Sequence, residues 1–440
     1  MKLGWLLLAC ACGPMVVPSD AETTSTSSAS SIDETSSSTL SSAATTSPSS
    51  SSEGTTTWSL DLATPEDVRK LDVLFVIDNS ANMADIQIWL AQAMAGFVET
   101  LSVTPHDVQV MFTTTDMGYS TCLSGAPAAK GNPVTTSCNH RIGDFSGSEE
   151  TRDDACTSVC HSLWESPDAF IAFNTATGET NADPPDAGLA CLLPQGIDGC
   201  GYEAPLEAMA QALNPDAWWN EGERPFVRDG ADLAIVIASD ESDCSLADQN
   251  ATLDPKYWNF DPQMGSAHPS SALCWNAGIE CEGPDADGVY AECTPREGPM
   301  HPTSRYIEML QWLRDGGKRV TMLALSGVPE VTQYGATPPF EPTAGGLEAL
   351  VYRDWRAADL FAEEQTDGVT PEDLYFEYDI GPACLAARDD GTRLARALPS
   401  PRLFEVCRAL DEPDRVGCCI DSACSDPSAG LRCVLATSLL

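Results

Sequence analysis

The stretch Leu71-Asp72-Val73-Leu74-Phe75-Val76-Ile77, followed by Asp78-Asn79-Ser80-Ala81-Asn82, decides the reading of the fold. Its apolar residues run on without polar alternation and are rich in strand formers, which predicts a short strand buried on both faces, as in a parallel sheet. Beyond the loop, Met83 to Leu101 carries Ile86, Leu90, Met94, Phe97 and Leu101 at steps of three or four residues, the spacing of an amphipathic helix.

The unit recurs downstream. Val108 to Phe112 reads as a strand, Pro205 to Leu213 as a helix stopped by Asn214-Pro215, and Leu233 to Ala238 as another buried strand. Thr303 to Asp315 then reads as a helix closed by Gly316-Gly317, and Val320 to Leu325 as a further strand. Strands alternating with helices predict an α/β fold, a doubly wound, Rossmann-like sheet flanked by helices. Three long stretches rich in Gly, Pro, Asp and Cys interrupt it, near residues 118–200, 243–302 and 329–401. Loops of that length need staples, and the cysteines are the available ones. Whether each stretch is a mini-domain of its own stays open at this point.

The chain has 440 residues, 66 of them Asp or Glu against 23 Lys or Arg, for a formal net charge of −43. No basic footprint exists to neutralise phosphates, so nucleic acid is not an expected partner. Eighteen cysteines at irregular spacings fit an oxidising compartment. Leu3 to Cys10 resembles a bacterial lipoprotein signal, with residues 1–9 removed and Cys10 lipidated; a non-functional apolar tip is the alternative. With Cys10 and Cys12 set aside, the sixteen cysteines from Cys122 to Cys433 form an even set suited to full disulfide bonding. From Thr23 to Thr57, 25 of 35 residues are Ser or Thr, which predicts a disordered tether over 10–65 and a body over 66–440. The expected location is the cell envelope, at the outer membrane or cell surface, with the membrane reached only through a lipid anchor.

In a doubly wound sheet, ligands bind where the carboxyl ends of the strands converge. Those ends are acidic here: Asp78, Thr113-Thr114-Thr115-Asp116 and Asp240-Glu241-Ser242-Asp243. No Gly-rich turn follows the first strand, which removes the main support for a dinucleotide. Carboxylates and hydroxyls suit a hard divalent cation, Mg²⁺ or Ca²⁺.

The loop Asp78-Asn79-Ser80-Ala81-Asn82 resembles the D-x-S-x-S loop of von Willebrand factor type A domains, which forms most of a metal-ion-dependent adhesion site. The resemblance implies metal roles for Asp78, Ser80 and Asp240. Asn82 stands where a second Ser is usual, and no Thr occupies the turn Gly199-Cys200-Gly201-Tyr202-Glu203, where Glu203 is the substitute ligand. That turn, the Asp240 to Ser245 run and a closing helix after Cys424 are similar to a secreted, cysteine-rich, myxobacterial subgroup of the family. Glu241, Asp243 and Asp116 are further neighbours of the site. The alternative is that these acids cap helices and solvate loop ends.

The five histidines form no H-E-x-x-H motif and no zinc quartet, and no G-x-S-x-G elbow presents a nucleophile, so no enzyme is expected. Cys156-x-x-x-Cys160-His161 reads as disulfide chemistry, Cys418 and Cys419 as bonded to different partners, and Asp285-Ala286-Asp287-Gly288 as a surface turn. Trp218-Trp219 is either a binding anchor or the plug of a small local core. The leading expectation is a tethered envelope lipoprotein binding a protein or surface polymer through a divalent cation. A scaffold with a degenerate site is the alternative, and a metal-dependent hydrolase rests on carboxylate density alone.

Overall fold

The run from Leu71 becomes part of strand β1, Arg69–Ile77, and from Leu71 onward every residue of it is buried. A strand buried on both faces has to sit inside a sheet, and β1 pairs in parallel with β2, His106–Thr114, on one side and with β4, Asp232–Ala238, on the other. Beyond β4 lie β5, Val320–Ser326, and β6, Cys418–Ser422, both parallel. The short β3, Ile171–Asn174, closes the opposite edge antiparallel to β2. The computed structural model describes residues 68–122, 125–147, 151–296, 298–357, 369–387 and 393–439; Cys10, the signal sequence and the tether lie outside the described residues.

The central mixed sheet of six strands, in order β6-β5-β4-β1-β2-β3, is covered by helices on both faces. Val73, Phe75 and Ile77 point to α1 (Ala84–Leu101), α2 (Pro185–Leu192) and α6 (Ser428–Leu439). Leu74 and Val76 point to α3 (Pro205–Ala212), α4 (Thr303–Asp315) and α5 (Pro401–Arg408). The α1 stripe behaves as its spacing predicts, with Ile86, Leu90, Met94, Phe97 and Leu101 all buried; each such side chain contributes about 1.5–3 kcal/mol by leaving water. Phe75 stacks on Phe112 at 5.1 Å and meets Phe97 edge-on at 5.9 Å, which locks β1, β2 and α1 together. The stop after α4 also follows the sequence: Gly317, at φ +91°, makes the left-handed turn that ends the helix.

All sixteen cysteines from Cys122 to Cys433 are paired, which fits an oxidising extracellular or envelope environment. Cys156 and Cys160 bond to Cys138 and Cys191, and the adjacent Cys418 and Cys419 bond to Cys407 and Cys433. The last two bridges tie α5, β6 and α6 into one unit. Among the described residues no helix is long and apolar enough to cross a membrane.

The stretches read as insertions divide differently in space. Residues 118–200 include β3 and α2, so part of this stretch belongs to the sheet and its helical cover. The second and third stretches share a core of Trp275, Ile279, Trp355, Leu374, Ile380 and Leu398. They also share a small sheet in which Tyr352–Arg353 pairs with Val289–Pro295, itself paired with Ile279–Glu282. These two stretches therefore pack on each other through part of their length and are not two separate mini-domains.

Candidate functional site

Register brings three chain segments to one level. Ile77 lies opposite Thr114 and Ala238, so the next residues, Asp78, Thr115 and Ser239, emerge side by side. Backbone bonds carry the ladder one step further: Asp78 N donates to Ala238 O at 2.9 Å and Thr115 N to Ile77 O at 3.2 Å. Side chains here are held by the end of the sheet and not by a free loop.

Asp78 is fully buried, and both its carboxyl oxygens accept hydrogen bonds, from Ser80 N at 2.8 Å and from Ser239 Oγ at 2.6 Å. Ser80 Oγ donates to Asp240 Oδ1 at 3.3 Å, which joins the loops after β1 and β4. The structure thus brings together Asp78, Ser80 and Asp240, the residues to which the resemblance gives metal roles. Asn82 sits half-buried in the short helical turn Ala81–Met83.

Glu203 joins from the turn before α3. Thr115 Oγ1 donates to its Oε2, while its backbone is pinned by Cys244 N bonding to Glu203 O at 2.6 Å. The other carboxyl oxygen, Oε1, is buried without a hydrogen-bond partner. Asn79 is in the same condition, with both side-chain polar atoms buried and unpartnered. Gly199 packs against it so closely that a Cβ there would lie 2.5 Å from the Asn79 side chain, and Gly199 N bonds to Asn79 O at 2.8 Å. Gly199→Ala is therefore expected to cost about 1–3 kcal/mol by forcing the Asn79 loop aside. A urea midpoint shifted by less than 0.5 kcal/mol equivalent, about the scatter of surface changes, would contradict this packing.

The electrostatics are those of acids crowded out of water. Burial pushes the Glu203 carboxyl well above the usual range, Asp78 adds to the rise, and the Thr115 bond opposes it. Burial also raises Asp78, against the hydrogen bonds from Ser239 and Ser80. Glu241 is raised well above its ordinary value by burial and then by Asp240 and Asp78, with Arg396 pulling it back.

Two acids expected nearby have other commitments. Asp116 accepts from Gly118 N at 2.6 Å and from Cys200 N at 3.2 Å, so it holds the turn at Cys200 in place. Asp243 is ion-paired with the buried Arg402 at 2.8 Å. From sequence Thr115 stands only within the strand-end run Thr113-Thr114-Thr115-Asp116, and Ser239 carries no signal. Both follow apolar runs, but only the register of β1 with β2 and β4 places them beside Asp78.

Among the described residues no three His, Cys, Asp or Glu side chains are grouped to hold a metal ion by themselves. An ion at this end of the sheet has to draw on hydroxyls as well as carboxylates. That donor set is all oxygen, the chemistry of a hard cation, and Glu203 Oε1 stands in it without a hydrogen-bond partner. A scan against protein-family models gives no match to this chain, and a search of curated proteins gives none.

Proposed function

We propose that the body is a doubly wound, von Willebrand factor type A-like module that binds a divalent cation at the strand ends. Asp78, Ser80, Thr115, Glu203 and Asp240 would hold the ion, with Asn82 at the margin. The observation that carries this reading is the buried, unpartnered Glu203 Oε1, an acceptor without a donor on a carboxyl that burial and repulsion from Asp78 both raise. A bound ion supplies a positive centre that offsets this repulsion and whose open position a partner's oxygen can complete. Carboxylates added to the hydroxyls of the set favour Ca²⁺ over Mg²⁺ and weaken the attraction for an acidic partner. Within the same proposal the protein is an exported lipoprotein, anchored through Cys10 and displayed on its Ser/Thr-rich tether, that binds a protein or surface polymer without catalysing a reaction.

Calorimetric titration of Ca²⁺, Mg²⁺ and Mn²⁺ into the chelator-treated protein tests this, beside Asp78→Ala and Asp240→Ala. The expected result is saturable one-site binding that both substitutions abolish. Binding that is absent, or indifferent to both changes, leaves a second reading, a rigid scaffold. That reading has its own support, since both Asp78 oxygens already accept hydrogen bonds from the protein.

A further inference from the structure

A second candidate site lies away from the strand ends, beside the loop that follows α3. Trp219 is an anchor: it is 7% exposed, its indole Nε1 donates to Ala212 O at 2.8 Å, and it packs in the core on the α3 side of the sheet. Trp218, by contrast, is 65% exposed and rests edge-on against Trp219, with ring centres 5.6 Å apart and planes at 85°. A rigid, buried ring thus fixes the orientation of an indole that remains largely in water. An indole held in this way offers a pre-oriented apolar face at little conformational cost.

The two tryptophans line a cleft of about 360 Å³ together with Phe170, Glu165, Asp168 and Arg224. Arg224 Nη1 lies 3.2 Å from Asp168 Oδ2, and Asn181 Nδ2 donates to the same oxygen at 3.3 Å. The cleft therefore sets an aromatic platform beside a fixed carboxylate and a planar guanidinium, within a volume typical of small-ligand pockets.

We propose that this cleft binds a pyranose unit of a neutral polysaccharide, stacked on Trp218. The less polar face of a pyranose ring, with its axial C–H bonds, matches an indole face, and its vicinal hydroxyls donate to a carboxylate while accepting from a guanidinium. The rim carries two carboxylates to one guanidinium, on a chain of net charge −43, so an acidic glycan or a nucleic acid is repelled. The inference is independent of the cation site, because none of these six residues belongs to it.

The test is affinity electrophoresis of the whole protein through gels holding neutral polysaccharides, followed by titration with hexose oligomers read by tryptophan fluorescence. Variants are Trp218→Ala, Asp168→Asn and, as a control for an exposed indole elsewhere, Trp312→Ala; Trp312 is 63% exposed and lines a different cleft. Circular dichroism confirms that each variant is folded. Retardation by at least one neutral glycan is expected, with a loss of tenfold or more in Trp218→Ala and a smaller loss in Asp168→Asn. Trp312→Ala and added chelator should leave binding unchanged. No retardation by any neutral glycan, full binding by Trp218→Ala, an equal loss in Trp312→Ala, or a loss on chelation would each overturn the proposal.

Discussion

Arg402→Ala is expected to destabilise the folded protein by about 3–5 kcal/mol, the cost of stranding one member of a buried ion pair. Arg402 is 1% exposed; its Nε donates to Asp243 Oδ2 at 2.8 Å and its Nη2 to His301 O at 2.6 Å. Asp243 in turn receives Leu206 N, in the first turn of α3, at 3.2 Å and Ser245 Oγ at 2.6 Å. One charge pair therefore fixes the start of α5, the loop after β4 and the start of α3 against each other. With the guanidinium gone, Asp243 keeps only neutral donors and the positive end of α3, too little to replace a buried cation. Urea unfolding under non-reducing conditions measures the loss. The double variant Arg402→Met with Asp243→Asn should recover most of it, because it removes both charges and fills the space. A loss under 1 kcal/mol for Arg402→Ala would show that the pair does not hold these elements.

How much of this was legible in the sequence follows from the range of each interaction. Whereas the closing helix α6 is expected only through the family resemblance, the buried strands and the helices α1, α3 and α4 announce themselves locally, because periodicity and end signals lie within each segment. β3 and β6 do not. The first is four residues long within a Gly- and Cys-rich stretch, and the second reads Cys-Cys-Ile-Asp-Ser, where cysteines destined for bridges mask the apolar pattern. Asp78 and Asp240 are readable as acids at the ends of recognisable strands, and Ser80 only through the resemblance of its loop. The Thr115 bond to Glu203 spans 88 residues and the Arg402 pair with Asp243 spans 159, and neither leaves a local trace. Asp243 is expected among the metal neighbours, whereas its actual partner, Arg402, stands on a helix, α5, that no sequence signal marks.

The second large effect is a stability that falls as pH rises. Asp421 is 1% exposed, and burial pushes its carboxyl up to about 6 although Tyr334 Oη donates to it at 2.6 Å. Asp379, 6% exposed, is likewise pushed up to about 6 by burial, against the bond from Asn259 Nδ2 at 3.1 Å. Both lie above the ordinary value of 3.8, so the folded chain holds these protons more tightly than the unfolded chain does. Their stabilising contribution is complete below about pH 4 and is lost as pH rises through about 6, on the order of 2–3 kcal/mol for each group. Glu207 acts with the opposite sign: although burial raises it, bonds from Arg305 and Gln211 prevail and hold it below its ordinary 4.5, so its contribution is lost only under more acidic conditions. Urea unfolding in chelator should therefore show a maximum near pH 4–5 and a fall of several kcal/mol by pH 7. Self-repulsion in a chain of net charge −43 pushes the same way. Asp72, 0% exposed, is likewise pushed up to about 6 by burial against Arg228, so Asp421→Asn and Asp379→Asn, each removing a single charge, are each expected to take away about a third of the local slope. A profile that stays flat or rises between pH 4 and 7 would exclude these buried protons. Added Ca²⁺ should flatten the fall further only if Asp78, Glu203 and Glu241 contribute to it, because a bound cation favours their ionised forms, whereas Asp379 and Asp421 lie outside the ligand set.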